Sequence, residues 1–148
     1  MKKKLLKNLG IMILVTTVSM CNSVTGMASD GNYENWLYTY QSSKDGDYKA
    51  VHSRQKDYSG TNIPHGYVYA IASEGSDSSI EVRKKLTKGN EAVTKGYVTV
   101  PYMKHTCIRN TAKKLDWVYL RVRINQNSGI TSGYWSPDCS KQYPYVVG

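Results

Sequence analysis

The sequence contains no phenylalanine, only three cysteines and no apolar stretch long enough to cross a bilayer. A membrane-spanning helix needs about 20 apolar residues, and the stretch from Leu9 to Met20 falls well short of that length. The chain has 148 residues, which suits one globular domain and is too short for two. Its 40% hydrophobic and 21% charged residues are ordinary for a folded domain, which argues against a wholly disordered or collagen-like chain.

Sequence patterns of familiar enzymes are missing as well. There is no glycine-rich phosphate loop and no nucleophile elbow. His52, His65 and His105 are widely separated and lack paired cysteines, which argues against a zinc site. Acidic turns such as Asp45-Gly46-Asp47 match neither a glycosidase carboxylate pair nor a calcium-binding loop. We therefore expect no catalytic residues, no metal and no cofactor, and a protein that is not an enzyme.

Residues 1–28 have the features of a secretory signal peptide. Four lysines precede the apolar stretch, and Gly26-Met27-Ala28 places small residues where signal peptidase cleaves. The pattern predicts a single secreted, extracellular domain of residues 29–148, either released or loosely associated with the cell wall. A membrane anchor is disfavoured because the apolar stretch is short. Lipid attachment to Cys21 is disfavoured because a methionine precedes it, where lipoprotein processing requires a small side chain.

Cleavage at that site would leave two cysteines in an oxidising compartment. An even pair in a secreted domain is typically a disulfide. We therefore predict a disulfide between Cys107 and Cys139, which the chain-entropy model makes worth about 3 to 4 kcal/mol. The alternative is a reactive cysteine activated by His105, but no third group that would orient the histidine can be named.

Short β-type runs separated by turn residues dominate the remainder of the chain. This spacing is typical of a sandwich or barrel and not of alternating βαβ units. The predicted strands are 36–40, 47–55, 66–73, 80–86, 97–103, 117–125, 130–135 and 143–147. Residues 106–115 carry apolar side chains at helical spacing, so either a short helix or a loop is expected there. The sequence thus predicts an all-β fold, an antiparallel β-sandwich of about seven to eight short strands.

The segment 117–125 alternates strictly between two kinds of residue. Its apolar positions are Val118, Leu120, Val122 and Ile124, and its other positions include Trp117, Tyr119, Arg121 and Arg123. The first set is predicted to face the core. In the second set, two flat rings adjoin two guanidinium groups, which can stack on sugar rings and pair with phosphate. We predict this row, together with Trp135, to be a ligand-binding surface.

The alternative for this row is structural. In that case the C-terminal segment around Trp135 covers Trp117 and Tyr119, and the arginines only keep an open sheet soluble. The aromatic composition allows both interpretations. The thirteen tyrosines and three tryptophans all have a polar tip, which suits a binding surface and also suits half-buried positions of a two-layer sheet.

The charge of the predicted domain is modest. Residues 29–148 carry sixteen basic and eleven acidic residues, a net charge of +5. Since these charges are not clustered and the protein is predicted to leave the cell, nucleic acid is disfavoured as a partner. No stable membrane insertion is expected after signal cleavage.

Two short segments carry a family resemblance. Ser132-Gly133-Tyr134-Trp135-Ser136-Pro137-Asp138 follows residues 123–127, and Ser73-Glu74-Gly75 lies at the centre of the chain. Together they resemble a family of small secreted proteins of Gram-positive bacteria, uncharacterised in function, over most of residues 50–138. The resemblance implies secretion and a β fold and supplies no catalytic residue. A second likeness, to secreted bacteriocins of the lactococcin type, lies in size, export and aromatic richness.

These observations favour a secreted, non-catalytic module that recognises a surface or binds a component of the cell envelope, such as a wall polymer. The alternative is a bacteriocin-like antibacterial effector.

Overall fold

A computed structural model describes residues 36–126 and 128–148. The predicted signal peptide, its cleavage site and Cys21 lie outside these described residues. Eleven strands and one short helix occur within the described ranges. In chain order they are β1 (Trp36–Gln41), α1 (Ser42–Asp45), β2 (Lys49–Ala50), β3 (Arg54–Gln55), β4 (Val68–Gly75), β5 (Ser78–Lys85), β6 (Asn90–Ala92), β7 (Val98–Val100), β8 (Thr106–Ile108), β9 (Trp117–Arg123), β10 (Ile130–Ser136) and β11 (Tyr145–Val147).

The strands form two packed sheets, so the predicted antiparallel β-sandwich is confirmed. The first sheet has the order β1-β10-β4-β8-β11, and the second has the order β2-β9-β5-β6, with β3 beside β9 and β7 beside β5. The named strands pair antiparallel, except that β8 and β11 run parallel. More strands occur than predicted because the run 47–55 divides into two short strands and because β6 and β8 arise in segments expected to be turn, loop or helix.

Alternation along the strands produces the core between the two sheets. In β9 the side chains of Val118, Leu120 and Val122 are fully buried, as the sequence predicted. They meet buried residues of β4, namely Val68, Ala70 and Ala72, and of β5, namely Ile80 and Val82, in one apolar cluster. Complete burial of a valine or leucine side chain contributes about 1.5 to 3 kcal/mol, so this layer contributes strongly to the stability of the fold.

The outer side of the first sheet carries a smaller apolar cluster. Its members are Tyr67, Tyr69, Cys107, Cys139 and Tyr143. Tyr69 and Cys107 are register partners on β4 and β8, and Tyr143 belongs to the C-terminal segment that covers them. Because residues 106–108 pair with β4, they form a strand, and the short helix allowed by the sequence does not occur there. Among the described residues, no helix has the length and apolar character needed to cross a membrane.

Candidate functional site

The predicted aromatic and arginine row lies on the outer face of the second sheet. Trp117 is 48% exposed, and Tyr119, Arg121 and Arg123 are half-buried at successive outward positions of β9. The neighbouring strand β5 turns its own polar side chains to this face, because Ile80 and Val82 occupy the alternate, inward positions. Strand pairing places Ser79 opposite Arg123, Glu81 opposite Arg121 and Arg83 opposite Tyr119.

Both arginines of the row are covered by tyrosine rings. The guanidinium carbon of Arg121 lies 4.3 Å from the ring centre of Tyr48, and that of Arg123 lies 3.9 Å from the ring centre of Tyr97. The Nε atoms of both arginines are buried and have no hydrogen-bond partner among the described residues. Each cation–π contact of this kind is worth about 0.5 to 2 kcal/mol. The arginines therefore hold the two tyrosine rings in place on the sheet.

Glu81 neutralises part of the charge on this face. Its Oε2 lies 3.1 Å from Nη1 of Arg83 and 3.7 Å from Nη1 of Arg121. Burial raises the pKa of Tyr97, and the negative charge of Glu81 raises it further, against the opposing effect of Arg123. Tyr97 consequently remains a neutral ring, which is the form that stacks on a guanidinium group.

An open groove adjoins Trp117 and Tyr119, at the other end of the same row. It consists of two depressions of about 380 and 350 Å³ that share Ser53 and Lys85 in their walls. Tyr119, His52 and Asn90 line the first depression, and Trp117 lines the second. The loop between β2 and β3 forms one side and the end of β5 forms the other. We call this feature the Trp117 groove.

Trp135 does not belong to this surface. Its side chain has no exposed area and packs in the core, on β10 of the first sheet. The prediction that Trp135 contributes to a binding surface is therefore wrong, because β10 turns this ring inward between the sheets. The alternative in which the segment around Trp135 covers Trp117 is also wrong. That segment belongs to the first sheet, whereas Trp117 lies on the second sheet with its side chain exposed.

Cys107 and Cys139 are neighbours, as predicted, but no disulfide joins them. Their sulfur atoms are 3.3 Å apart, whereas a disulfide bond measures about 2.05 Å. Both side chains are fully buried, and the backbone N–H of Tyr143 donates to Sγ of Cys107 at 3.4 Å. The predicted disulfide is therefore wrong. The two sulfur atoms instead lie at hydrogen-bonding distance within a packed cluster.

A buried ion pair is the polar feature that sequence reasoning missed. Lys56 and Asp138 are both fully buried, and Nζ of Lys56 lies 3.1 Å from Oδ1 of Asp138. The ammonium also donates to the carbonyls of Gly66, at 2.9 Å, and of Pro137. Burial lowers the pKa of Lys56 and raises that of Asp138, while the charge of each partner opposes the shift of the other. Every ammonium proton has an acceptor, so the pair acts as a structural clamp.

The described residues contain no group of three or more His, Cys, Asp or Glu side chains that could hold a metal ion. Comparison of the chain with family models, curated proteins and solved structures finds no match.

Three residues that the sequence analysis did not select belong to the outer face or its groove, namely Lys85, Tyr48 and Tyr97. Lys85 follows Glu81 and Arg83 at alternate positions of β5, so the alternation of that strand predicts that its side chain lies on the same outer face.

Proposed function

We propose that the protein is a secreted, non-catalytic recognition module that binds a polymer of the bacterial cell envelope through the outer face of its second sheet. The observation that carries this proposal is the indole of Trp117, which is 48% exposed on a regular strand and borders an open groove with Lys85. Exposed aromatic rings beside polar groups are typical of interaction surfaces. Export is supported by the predicted signal peptide of residues 1–28.

The arginines of the row act in this proposal by supporting the surface. Because Tyr48 and Tyr97 cover the guanidinium groups of Arg121 and Arg123, the face is held in one arrangement before a ligand arrives. A rigid surface loses less conformational entropy on binding, which favours affinity. The long arginine side chains also add positive potential, which attracts an anionic polymer.

Pull-down of the purified protein on isolated Gram-positive cell walls tests the proposal. We expect retention at low salt and weaker retention at moderate salt, since exposed charges are screened over about 10 Å at 0.1 M ionic strength. The double variant Arg121→Gln/Arg123→Gln should be retained less. The matched double variant Lys95→Gln/Lys114→Gln removes two exposed cations outside the strands of this face and should behave as wild type.

Absence of wall binding by the folded wild-type protein at low salt would overturn the proposal. Equal retention of the Arg121→Gln/Arg123→Gln variant and wild type would show that these arginines do not contribute to wall binding. A spot test on Gram-positive lawns separates binding from killing. Clear zones around purified protein would assign it to the bacteriocin-like effectors instead of to simple binding modules.

A further inference from the structure

The Trp117 groove differs in charge from the remainder of the outer face. Within the part of the chain that the structure describes, its walls contain Lys85 and His52 and no acidic residue. Lys85 is exposed and takes part in no ion pair among the described residues, whereas Arg83 and Arg121 share Glu81, and Lys84 is paired with Asp116 at 2.9 Å. An anion entering the groove would therefore meet an ammonium group that no carboxylate of residues 36–126 or 128–148 neutralises.

The groove also offers surfaces suited to a sugar. Trp117 and Tyr119 occupy alternate positions of β9 on the same face, about 7 Å apart along the strand. Their flat rings can pack against the C–H face of a sugar ring. Ser53, Thr87 and Asn90 line the groove and supply hydroxyl and amide groups that can hydrogen-bond to sugar hydroxyls.

The cation that the groove offers is an ammonium group, which suits a phosphodiester. The guanidinium groups of Arg121 and Arg123, which could pair with a carboxylate or a phosphate, already lie against tyrosine rings. The ammonium of Lys85 is a compact point charge of the kind that binds phosphate. A phosphodiester carries a single negative charge, which one ammonium balances. The groove is open to solvent, so a polymer can pass along it without an end having to enter.

We infer that the Trp117 groove binds a glycan whose units are joined by phosphodiesters, with a sugar ring against Trp117 and the phosphodiester at Lys85. This inference rests on the proposed function, because it names the class of envelope polymer that the same face would recognise.

The test compares intact cell walls with walls treated with hydrofluoric acid, which hydrolyses phosphodiesters and leaves the peptidoglycan. The wild type should bind the intact walls and lose about tenfold or more in affinity for the treated walls. Trp117→Ala and Lys85→Gln should each lower affinity for intact walls about tenfold. Lys85→Gln should also make the remaining binding less sensitive to salt.

Two control variants match these changes elsewhere. Tyr134→Ala removes a ring that is 44% exposed on the other sheet, and Lys95→Gln removes an exposed cation outside the groove. Both should bind intact walls as wild type does. Trp117→Phe keeps a flat ring and should retain most of the affinity, which separates loss of stacking from loss of folding. Thermal melts monitored by circular dichroism establish that each variant is folded.

The outcomes distinguish this inference from the proposed function. Equal binding to intact and treated walls would leave envelope binding standing and overturn the phosphodiester assignment. Wild-type affinity of Lys85→Gln for intact walls would overturn the placement of the phosphate. Failure of the wild type to bind either preparation would overturn both proposals together.

Discussion

The hydroxyl of Ser132 donates a hydrogen bond to Oε2 of Glu74 at 2.8 Å, across the paired strands β10 and β4. The two segments that carry the family resemblance, Ser73-Glu74-Gly75 and the one beginning at Ser132, therefore lie side by side. Gly75 has a φ of +79°, and a Cβ there would collide with the backbone of Ile130. The pairing of the two central strands accounts for the identity of these residues. They belong to the first sheet, whereas the proposed binding face belongs to the second.

Gly133 gives a direct test of that structural role. A Cβ at this position would overlap the carbonyl oxygen of Ile71 and come within 2.8 Å of the Tyr38 hydroxyl. The carbonyl cannot move without disturbing the pairing of β4 with β10, so Gly133→Ala should lower the free energy of unfolding by about 3 kcal/mol. Urea denaturation measures this change. Gly96→Ala is the control, since its Cβ meets open space and only its φ of +77° adds strain, worth about 1 kcal/mol. A smaller cost at Gly133 than at Gly96 would contradict the account.

The buried clamp of Lys56 and Asp138 predicts strong coupling between the two positions. Lys56→Met leaves a buried carboxylate that still accepts the backbone N–H groups of Asp57 and Tyr58 but has lost its cation. Asp138→Asn leaves a buried ammonium without a counter-charge. Each change should cost about 3 to 5 kcal/mol, because an unpaired buried charge is expensive.

A double-mutant cycle measures that coupling. The double variant Lys56→Met/Asp138→Asn should cost less than the sum of the two single changes, since neither partner then leaves the other charged and unpaired. Denaturant titration of the four proteins gives the required free energies of unfolding. Additive effects of the two changes, or a loss below about 1 kcal/mol for either single variant, would show that the pair is not a clamp.

Asp116 predicts a specific response of stability to acid. Burial alone would raise its pKa, but the N–H of Lys113 at 2.8 Å and the ammonium of Lys84 at 2.9 Å outweigh burial, so its pKa is lowered. A carboxyl whose pKa is lower in the folded than in the unfolded protein stabilises the fold above the unfolded value of about 3.9. This contribution is lost as the pH falls through the lower, folded pKa.

The variant Asp116→Asn should therefore be less stable than wild type at pH 7, by about 0.5 to 1 kcal/mol. The difference should shrink toward the strongly acidic range, where the wild-type carboxyl is protonated as well. Melting temperatures of both proteins at pH 7 and at about pH 2.5 test this expectation. A difference that stays constant with pH would mean that Asp116 acts through its shape and hydrogen bonds and not through its charge.

Local alternation predicted the faces of β9 correctly, because burial of one side of a strand imposes a period of two on its sequence. Contacts between residues distant in sequence could not be predicted from local alternation. The burial of Trp135 depends on which sheet receives β10. The Trp117 groove requires the loop after β2 to meet the end of β5, and the Lys56–Asp138 pair joins positions 82 residues apart in sequence. No local sequence pattern predicts such long-range contacts.

Both proposals depend on the exposure of one indole, which fluorescence can test without any ligand. Trp117 is 48% exposed, Trp135 has no exposed area, and Trp36 is half-buried beneath the guanidinium of Arg54, 3.5 Å from its ring centre. Acrylamide quenches exposed indoles far more than buried ones. Trp117→Phe should therefore remove most of the quenchable emission while leaving the melting temperature nearly unchanged, because the phenylalanine ring replaces most of the buried part of the indole. Trp135→Phe is the opposite control: quenching should persist, and stability should fall because the core loses volume. If Trp117→Phe left the quenchable emission as it is in the wild type, the indole would be covered in solution, and the outer face of the second sheet would lose the feature on which its proposed binding role depends.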